Sequence, residues 1–220
     1  MWEHVKSYDE TNARHEEALR TLFERVLDDD ARDGADERMK TNKWTEVGFQ
    51  SANPRTDFRG GGLLGLLCIL YLATECKDQF ELVKQSGLEK EDFFLAIASI
   101  NLTSYMQSYL FMNEGVNVPS SHTRIRASRS HFKTFCEVNA QTKKAFFVLH
   151  SLAFMHMFTL WRKMVDQNTN SKLPPMFNLA IDGTMDAVHR VLDKRDVENL
   201  TDLRVKFERE TDAILNSTPN

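Results

Sequence analysis

Cysteine is scarce in this 220-residue chain, and its spacing fits neither a disulfide framework nor a zinc site. The three cysteines are Cys68, Cys76 and Cys136, an odd number, and no two of them form a C-x-x-C pair. Cysteines that build small secreted domains or bind zinc usually occur in even sets or in such pairs. We therefore expect free thiols in a reducing compartment.

A stretch of apolar residues long enough to cross a membrane is also absent. The run at 62–73 has 12 residues, whereas a bilayer needs about 20. The run at 145–161 has 17 residues but includes His150, Ser151, His156 and Thr159. The N-terminal stretch MWEHVKSYDE has no apolar core of the kind found in a secretory signal. We expect a cytoplasmic protein without a transmembrane segment.

The chain has no large excess of charge of either sign. It contains 28 lysines and arginines against 32 aspartates and glutamates, which gives a formal net charge of −4. Affinity for a nucleic-acid backbone depends on clustered basic side chains, so we expect no nucleic-acid partner.

The acidic stretch at 28–43 does not match a calcium-binding loop. Placing Gly34 at loop position six puts Ala31 at position three and Lys40 at position twelve, where oxygen ligands are required. The stretch is interpreted as a solvated linker, and we expect no bound metal.

Alternating β-branched residues are missing, and helical periodicity takes their place. A capping-box pattern, Ser7 followed by Glu10, predicts a helix that begins near Ser7. Its apolar stripe consists of Leu19, Leu22, Phe23, Val26 and Leu27. Further helices are predicted near 63–74, 90–112, 132–165, 176–192 and 197–214. A bend near Asn101 and an interruption of the long helix near Asn139 are left open as alternatives. The sequence predicts an all-α fold of six to eight helices in a single compact domain without significant sheet.

The core of this domain is expected to span residues 44–215. Residues 1–43 would supply an N-terminal amphipathic helix and the acidic linker, packed on the domain. Residues 216–220 would form a disordered tail.

The stretch DFRGGGLLG, residues 57–65, contains the glycine spacing of a dinucleotide-binding turn at Gly60, Gly62 and Gly65. Such a turn follows a buried strand and opens a βαβ unit, but NPRTDFR precedes it here and no strand is predicted after it. A P-loop would need Lys and Ser or Thr after the last glycine, where Leu66 stands. The glycines therefore do not predict nucleotide binding by this chain.

Arg59 lies directly before these glycines, on a turn at the start of an apolar helix. From the residues alone, two interpretations are open. Arg59 either pairs with Asp57 or another carboxylate to stiffen its own loop, which the chemistry favours, or reaches a phosphate held by another protein. The small glycines and the unpaired N–H groups of a helix start would suit an anion.

A wider pattern surrounds Arg59. The chain reads W-x3-G-F-Q-x3-P-x-T-D-F-R-G-x-G-x3-L, with Trp44, Gly48, Phe49, Gln50, Pro54, Thr56, Asp57, Phe58, Arg59, Gly60, Gly62 and Leu66 at the fixed positions. This pattern resembles the signature of the ELMO domain, named for engulfment and cell motility proteins. The family usually has a further leucine where Ile69 stands. Segments such as NARHEEALRTLF and FFLAIASINLTSYM extend the resemblance over about residues 8–200.

The resemblance implies a role for Arg59. Large engulfment proteins of the family are scaffolds for Rac exchange factors and lack the signature arginine. Small ELMO-domain-containing proteins behave as GTPase-activating proteins for Arf and Arf-like GTPases, with that arginine as the proposed catalytic residue. This chain is small and has Arg59 in the matching place, so it resembles the second group. The alternative is a non-catalytic adaptor that binds a small GTPase or a Rac exchange factor through the same surface.

The same resemblance implies that GTP and magnesium belong to the partner GTPase, so that this chain needs no cofactor. It would be recruited to membranes or cytoskeletal structures by that GTPase. Asp57 and Gln50 would brace the loop, and Gly60 and Gly62 would allow close approach to the phosphates. The packing of the loop would come from Trp44, Phe49, Pro54 and Phe58.

A basic turn follows the central helices. It contains Arg124, Arg126, Arg129 and Lys133 without an acidic residue among them. We interpret it as a solvated surface loop, with contact to an acidic face of a partner as the alternative for the three arginines.

Overall fold

The structure is a computed structural model that describes residues 5–27, 39–90, 92–112, 126–167, 174–193 and 197–216. The described residues group into two units. The first lies within Met1–Ser108 and Met112–His122, and the second within Tyr109–Phe111 and Thr123–Asn220. Residues 28–38 of the acidic stretch and residues 217–220 of the predicted tail lie outside the described residues.

Eight α-helices of 14 residues or more occur in the described ranges. They are α1 Ala13–Val26, α2 Gly62–Glu75, α3 Lys77–Lys90, α4 Leu95–Tyr109, α5 Arg129–Thr142, α6 Ala145–Gln167, α7 Pro174–Val191 and α8 Leu200–Asn216. Between α1 and α2 lie a one-turn helix, Lys43–Glu46, and a 3₁₀ segment, Pro54–Arg59. No strand occurs in the part of the chain that the structure describes. The all-α prediction is confirmed.

Helix α2 forms the centre of the first unit. Its sequence, GLLGLLCILYLATE, contains no charged residue before Glu75, and most of its residues are buried. Helix α1 packs against it through an apolar face that includes Leu19, Leu22 and Phe23. Helix α3 and the 3₁₀ segment also contact α2, so the turn that carries Arg59 rests on the most apolar helix of this unit.

Helix α6 has the same place in the second unit. It contacts α5, α7 and α8, and twelve of its residues are buried, among them Phe146, Phe154 and Trp161. The two histidines on α6, His150 and His156, are 1% and 2% exposed. Both are therefore core residues.

The predicted start of the first helix is wrong. Helix α1 begins at Ala13, and its N-cap is Asn12, whose side chain accepts a hydrogen bond from the Arg14 amide. In the segment before it, the Asp9 carboxylate accepts hydrogen bonds from the amide and hydroxyl groups of Thr11. This local turn replaces the helix that the Ser7–Glu10 pattern predicted.

The long helix predicted near 132–165 is two helices, and the division lies four residues after Asn139, near which the sequence leaves an interruption open. Helix α5 ends at Thr142 and is capped by Lys143, which has a left-handed conformation with a φ of 56° and donates its N–H to the Asn139 carbonyl. Helix α6 starts two residues after Lys143. Helix α3 was not predicted at all, because two of its larger apolar residues, Leu82 and Leu88, face solvent and weaken its periodicity.

None of the helices in the described ranges is long and apolar enough to span a membrane.

Candidate functional site

The 3₁₀ segment that ends at Arg59 is fixed by hydrogen bonds at its start. Pro54 occupies the first position, where its missing N–H costs nothing. The Asn53 side chain caps the segment by accepting a hydrogen bond from the Arg55 amide at 3.3 Å. The Thr56 hydroxyl donates to the Asn53 carbonyl at 3.1 Å. These bonds explain the Asn-Pro-x-Thr sequence of the loop.

Asp57 ties this segment back to the preceding loop. Its Oδ2 accepts a hydrogen bond from the backbone amide of Gln50 at 2.8 Å, while the Gln50 side chain is exposed. Burial raises the pKa of Asp57 above its usual value, and the Gln50 amide, the Thr56 hydroxyl and the charge of Arg59 partly offset that rise. The contribution of Gln50 to the brace is therefore made by its backbone.

A chain of aromatic rings lies beneath the loop. Trp44 contacts Phe23 and Phe49 at ring-centroid distances of 5.6 and 5.1 Å. Phe49 contacts Phe58 at 5.8 Å, and Phe58 contacts Tyr8 at 5.2 Å. Most of these pairs meet edge to face, which is a favoured geometry for aromatic side chains. The aromatic residues of the signature thus form one support that reaches from α1 to the 3₁₀ segment.

Gly48 anchors the other end of the loop on α4. Its φ is +89°, a value that other residues rarely adopt, and a Cβ at this position would lie 2.5 Å from the Leu95 nitrogen. The Val47 and Gly48 carbonyls accept hydrogen bonds from the Ala96 and Ile97 amides at 3.1 and 3.3 Å. These two carbonyls satisfy amide groups in the first turn of α4, which have no partner within the helix.

The Arg59 side chain is exposed, and it forms no hydrogen bond or ion pair with any residue in the described ranges. The Asp57 carboxylate is near enough to feel its charge but lies beyond ion-pair distance. Of the two interpretations left open by the sequence, the internal pair with Asp57 is therefore not formed. The guanidinium group has five N–H donors available at the surface.

Arg55, four residues earlier, has the opposite environment. Its Nε and Nη2 donate to Glu16 Oε1 and Oε2 at 2.9 and 2.6 Å, and its side chain is only 8% exposed. The Tyr8 hydroxyl donates to Glu16 Oε1 at 2.5 Å. Burial alone would raise the pKa of Glu16, but the hydrogen bonds from Arg55 and Tyr8 outweigh it and hold that pKa below its usual value. Arg55 is therefore a fixed part of the structure, and its charge is paired with that of Glu16.

Gly60 and Gly62, the two glycines of the signature that follow Arg59, differ in their backbone conformation. Gly60 has a φ of −82°, and a Cβ there would meet only the Ile100 side chain, at 3.9 Å. Gly62 is buried and has a φ of +59°, so its conformation is what requires glycine. The Leu63 amide donates to the Lys6 carbonyl at 2.9 Å. Part of the expected anion-attracting helix start is therefore already occupied by the chain itself.

Arg59 lines an open surface depression between the N-terminal segment and the 3₁₀ segment. The other lining residues are Tyr8, Asp9, Glu10, Thr11, Asn53, Arg55 and Thr56. Because this depression is open, a group on another protein could approach the guanidinium group directly.

The basic turn is only partly described. Arg126 and Arg129 are exposed in the second unit, and Arg124 lies outside the described residues. Within the described ranges, no cluster of three or more His, Cys, Asp or Glu residues has the geometry to hold a metal ion.

Three residues of the site were not predicted from the sequence. Tyr8, Glu16 and Arg55 form a hydrogen-bonded network beside Arg59, yet Arg55 occupies a variable position of the signature and the other two lie outside it. Glu16 and Arg55 are 39 positions apart in the chain. A pairing over that separation leaves no local pattern from which it could be read.

Comparison with known proteins agrees with the signature. The profile of the ELMO/CED-12 family matches residues 3–173. ELMO domain-containing protein B of Dictyostelium discoideum is 32% identical over 149 residues, which cover 67% of this chain and 45% of that protein. Human ELMO domain-containing protein 3 is 29% identical over 156 residues, covering 70% of this chain and 36% of that protein.

A third relative is human ELMO domain-containing protein 2, which is 32% identical over 106 residues, or 48% of this chain and 35% of that protein. The matched regions thus cover less than half the length of each of these relatives. No solved structure gives a significant match. Since the family profile covers most of the sequence, the chain belongs to the ELMO/CED-12 family.

Proposed function

We propose that this chain is a GTPase-activating protein for small GTPases of the Arf and Arf-like families, and that Arg59 is its arginine finger. The observation that carries the proposal is the contrast between the two arginines of the loop. Arg55 is buried in an ion pair with Glu16, whereas Arg59 is exposed and makes no hydrogen bond or ion pair with the described residues. The resemblance to the small ELMO-domain-containing proteins supplies the class of partner.

The proposed mechanism requires little movement of the loop. The GTPase holds GTP and magnesium and orients the attacking water. Arg59 enters from this chain and donates hydrogen bonds to the β–γ bridging and γ-phosphate oxygens as negative charge develops on them. The backbone that carries Arg59 is already fixed by Asn53, Asp57 and Phe58. The backbone of the loop therefore loses little conformational entropy when the Arg59 side chain engages.

The expected size of the effect is large. An arginine finger accelerates hydrolysis by roughly 10³- to 10⁵-fold, which corresponds to a barrier lower by about 4–7 kcal/mol. A lysine would supply a point charge without the planar set of donors, so it would restore little of this effect.

The test is single-turnover GTP hydrolysis by a panel of Arf and Arf-like GTPases, with and without this chain. We expect acceleration of one or more members by the wild type. Both Arg59→Ala and Arg59→Lys should lower the accelerated rate by about 10³-fold or more. Arg14→Ala is the matched control, because Arg14 is also an exposed arginine of the first unit but does not line the depression.

Binding and folding must be measured in the same variants. The affinity for the GTP-bound GTPase and the thermal unfolding midpoint should stay close to wild type in Arg59→Ala. A wild-type chain that binds a GTP-loaded GTPase without accelerating any member of the panel would refute the catalytic proposal and favour the adaptor. Equal acceleration by the wild type and Arg59→Ala would refute the role of Arg59 alone.

Partner contacts away from the finger belong to the same proposal. The exposed Arg126 and Arg129 of the second unit are candidate contacts for an acidic partner surface, as is Arg124. The GTPase would also determine where the chain acts, by recruiting it to a membrane or a cytoskeletal structure.

A further inference from the structure

The segment before α1, residues 5–12, is in contact with the Arg59 turn on both sides. Before Arg59, the Tyr8 ring packs on Phe58 at a centroid distance of 5.2 Å. After Arg59, the Lys6 carbonyl accepts a hydrogen bond from the Leu63 amide at 2.9 Å. The segment therefore restrains the chain within four residues of Arg59 in each direction.

Glu16 on α1 connects this segment to the 3₁₀ segment. One carboxylate oxygen, Oε1, accepts hydrogen bonds from both the Tyr8 hydroxyl, at 2.5 Å, and Arg55 Nε, at 2.9 Å. The other oxygen accepts from Arg55 Nη2 at 2.6 Å. Two-pronged bonds between a guanidinium and a carboxylate restrict orientation as well as distance. The two bonds therefore fix the orientation of the Arg55 guanidinium group relative to α1.

The same segment is attached to α1 by a second contact. The Asp9 amide donates to His15 Nδ1 at 3.0 Å, and the Tyr8 ring lies 5.7 Å from the His15 ring. Tyr8 therefore has a fixed place between α1, Phe58 and Glu16. Tyr8→Phe keeps the ring and its contacts, and removes the hydrogen bond from the hydroxyl to Glu16.

The network of Tyr8, Glu16 and Arg55 restrains the backbone of the turn that carries Arg59. Arg55 and Arg59 lie in one 3₁₀ segment of six residues. Fixing Arg55 on α1 and Phe58 on Tyr8 leaves few backbone conformations open to Arg59. When the backbone that carries a catalytic side chain is held before binding, only the side chain has to be ordered as it engages its target.

We propose that Tyr8 and Glu16 are positioning residues, which act through Arg55 and Phe58 to hold the turn that presents Arg59. This inference rests on the proposed function for its effect on catalysis, but the restraint of the turn can be tested without any GTPase. The proposal assigns residues outside the signature to the candidate site.

The first measurement is amide hydrogen exchange over residues 55–63, together with the rate of trypsin cleavage after Arg59. In Tyr8→Phe and Glu16→Gln we expect both rates to rise about tenfold. Exchange and cleavage require the turn to open locally, and in these variants opening no longer has to break the intact network. Exchange in α6 of the second unit should not change. Glu17→Gln is the matched control, since Glu17 is the adjacent residue on α1 and its side chain is 68% exposed. Equal rates in wild type, Tyr8→Phe and Glu16→Gln would overturn the proposal.

The second measurement is single-turnover hydrolysis at saturating concentrations of this chain. Tyr8→Phe and Glu16→Gln should lower the rate about tenfold while leaving the affinity for the GTPase unchanged. In an Arg59→Ala background the same substitutions should have no further effect, because their action passes through Arg59. An undiminished loss in that background would mean that the residues act elsewhere, and would overturn the positioning role.

The two measurements separate failure of the inference from failure of the proposed function. If no GTPase is accelerated by the wild type, the proposed function fails while hydrogen exchange still tests the restraint. If the wild type accelerates hydrolysis but the variants do not loosen the turn, the inference fails and the arginine finger stands.

Discussion

Substitution of Gly48 by alanine tests whether the loop is anchored on α4 as the structure shows. Two features oppose a side chain at this position. The φ of +89° is a conformation that alanine adopts at a cost of about 1–2 kcal/mol. The new Cβ would also lie 2.5 Å from the Leu95 nitrogen and 2.7 Å from the Phe94 carbonyl carbon, and neither backbone atom can rotate away.

Relief of this contact requires a shift between the loop and the first turn of α4. Ordinary van der Waals contact begins near 3.4 Å, so the backbones must separate by most of an ångström. The hydrogen bonds from Ala96 and Ile97 to the Val47 and Gly48 carbonyls, at 3.1 and 3.3 Å, would lengthen. Each such bond contributes about 1 kcal/mol. Alanine also reduces the entropy of the unfolded chain, which returns about 0.4–1 kcal/mol. We expect a net loss of about 2–3 kcal/mol in the free energy of unfolding.

Gly60→Ala is the control for this prediction. Gly60 has a negative φ, and a Cβ there would lie 3.9 Å from its nearest neighbour. Alanine is unstrained at this position, so the free energy of unfolding should stay unchanged or rise by up to about 1 kcal/mol, through the same reduction in the entropy of the unfolded chain. Thermal unfolding followed by circular dichroism should show a midpoint about 5–10 °C lower for Gly48→Ala, given about 2–4 °C for each kcal/mol. Equal midpoints for the two variants would refute the reasoning that Gly48 is required by backbone conformation and close packing.

Two further substitutions probe the second unit. Lys143→Gly should raise the free energy of unfolding by about 0.5–1 kcal/mol, because Lys143 ends α5 with a φ of 56° that glycine adopts without strain; thermal unfolding measures this, and a destabilised variant would contradict it. Burial lowers the pKa of His156 from about 6.5 to about 4, so its contribution to stability is complete above pH 6.5 and is lost as the pH falls toward 4. The stability lost on protonation is about 3 kcal/mol. Because glutamine does not titrate, urea unfolding of His156→Gln should depend less on pH in this window, and an unchanged pH dependence would contradict the assignment.

The helices that could be predicted from the sequence are those with a sustained apolar stripe or a dense apolar run. Helix α2 was placed within one residue at each end because its run of leucines is bounded by glycines and by a charged residue. The interruption considered near Asn139 lies four residues before the actual division between α5 and α6, which could not be located because Lys143 and Lys144 are neither glycine nor proline. Nothing in the sequence marks a lysine for the left-handed conformation that Lys143 adopts as it donates its N–H to the Asn139 carbonyl.

The candidate site could be predicted only as a set of residue types. The signature marks Asp57 and Gln50 but does not show that the bond between them uses the Gln50 backbone. It marks Gly60 and Gly62 alike, although only Gly62 has a positive φ. These distinctions depend on backbone conformation, which the spacing of residues in a loop does not determine.

The choice between Arg55 and Arg59 shows most directly what tertiary structure adds. Both arginines lie in PRTDFR, and each could form an ion pair with a nearby carboxylate on grounds of sequence. Glu16 lies on α1, 39 positions before Arg55 in the sequence, and pairs with it through two hydrogen bonds. Both carboxylate oxygens of Glu16 accept hydrogen bonds from Arg55, whose side chain is only 8% exposed, and Glu16 forms no ion pair with Arg59. The buried pair therefore stabilises the turn and engages Glu16, while Asp57 accepts a hydrogen bond from the Gln50 amide. Arg59 is left exposed, as the proposed arginine finger requires.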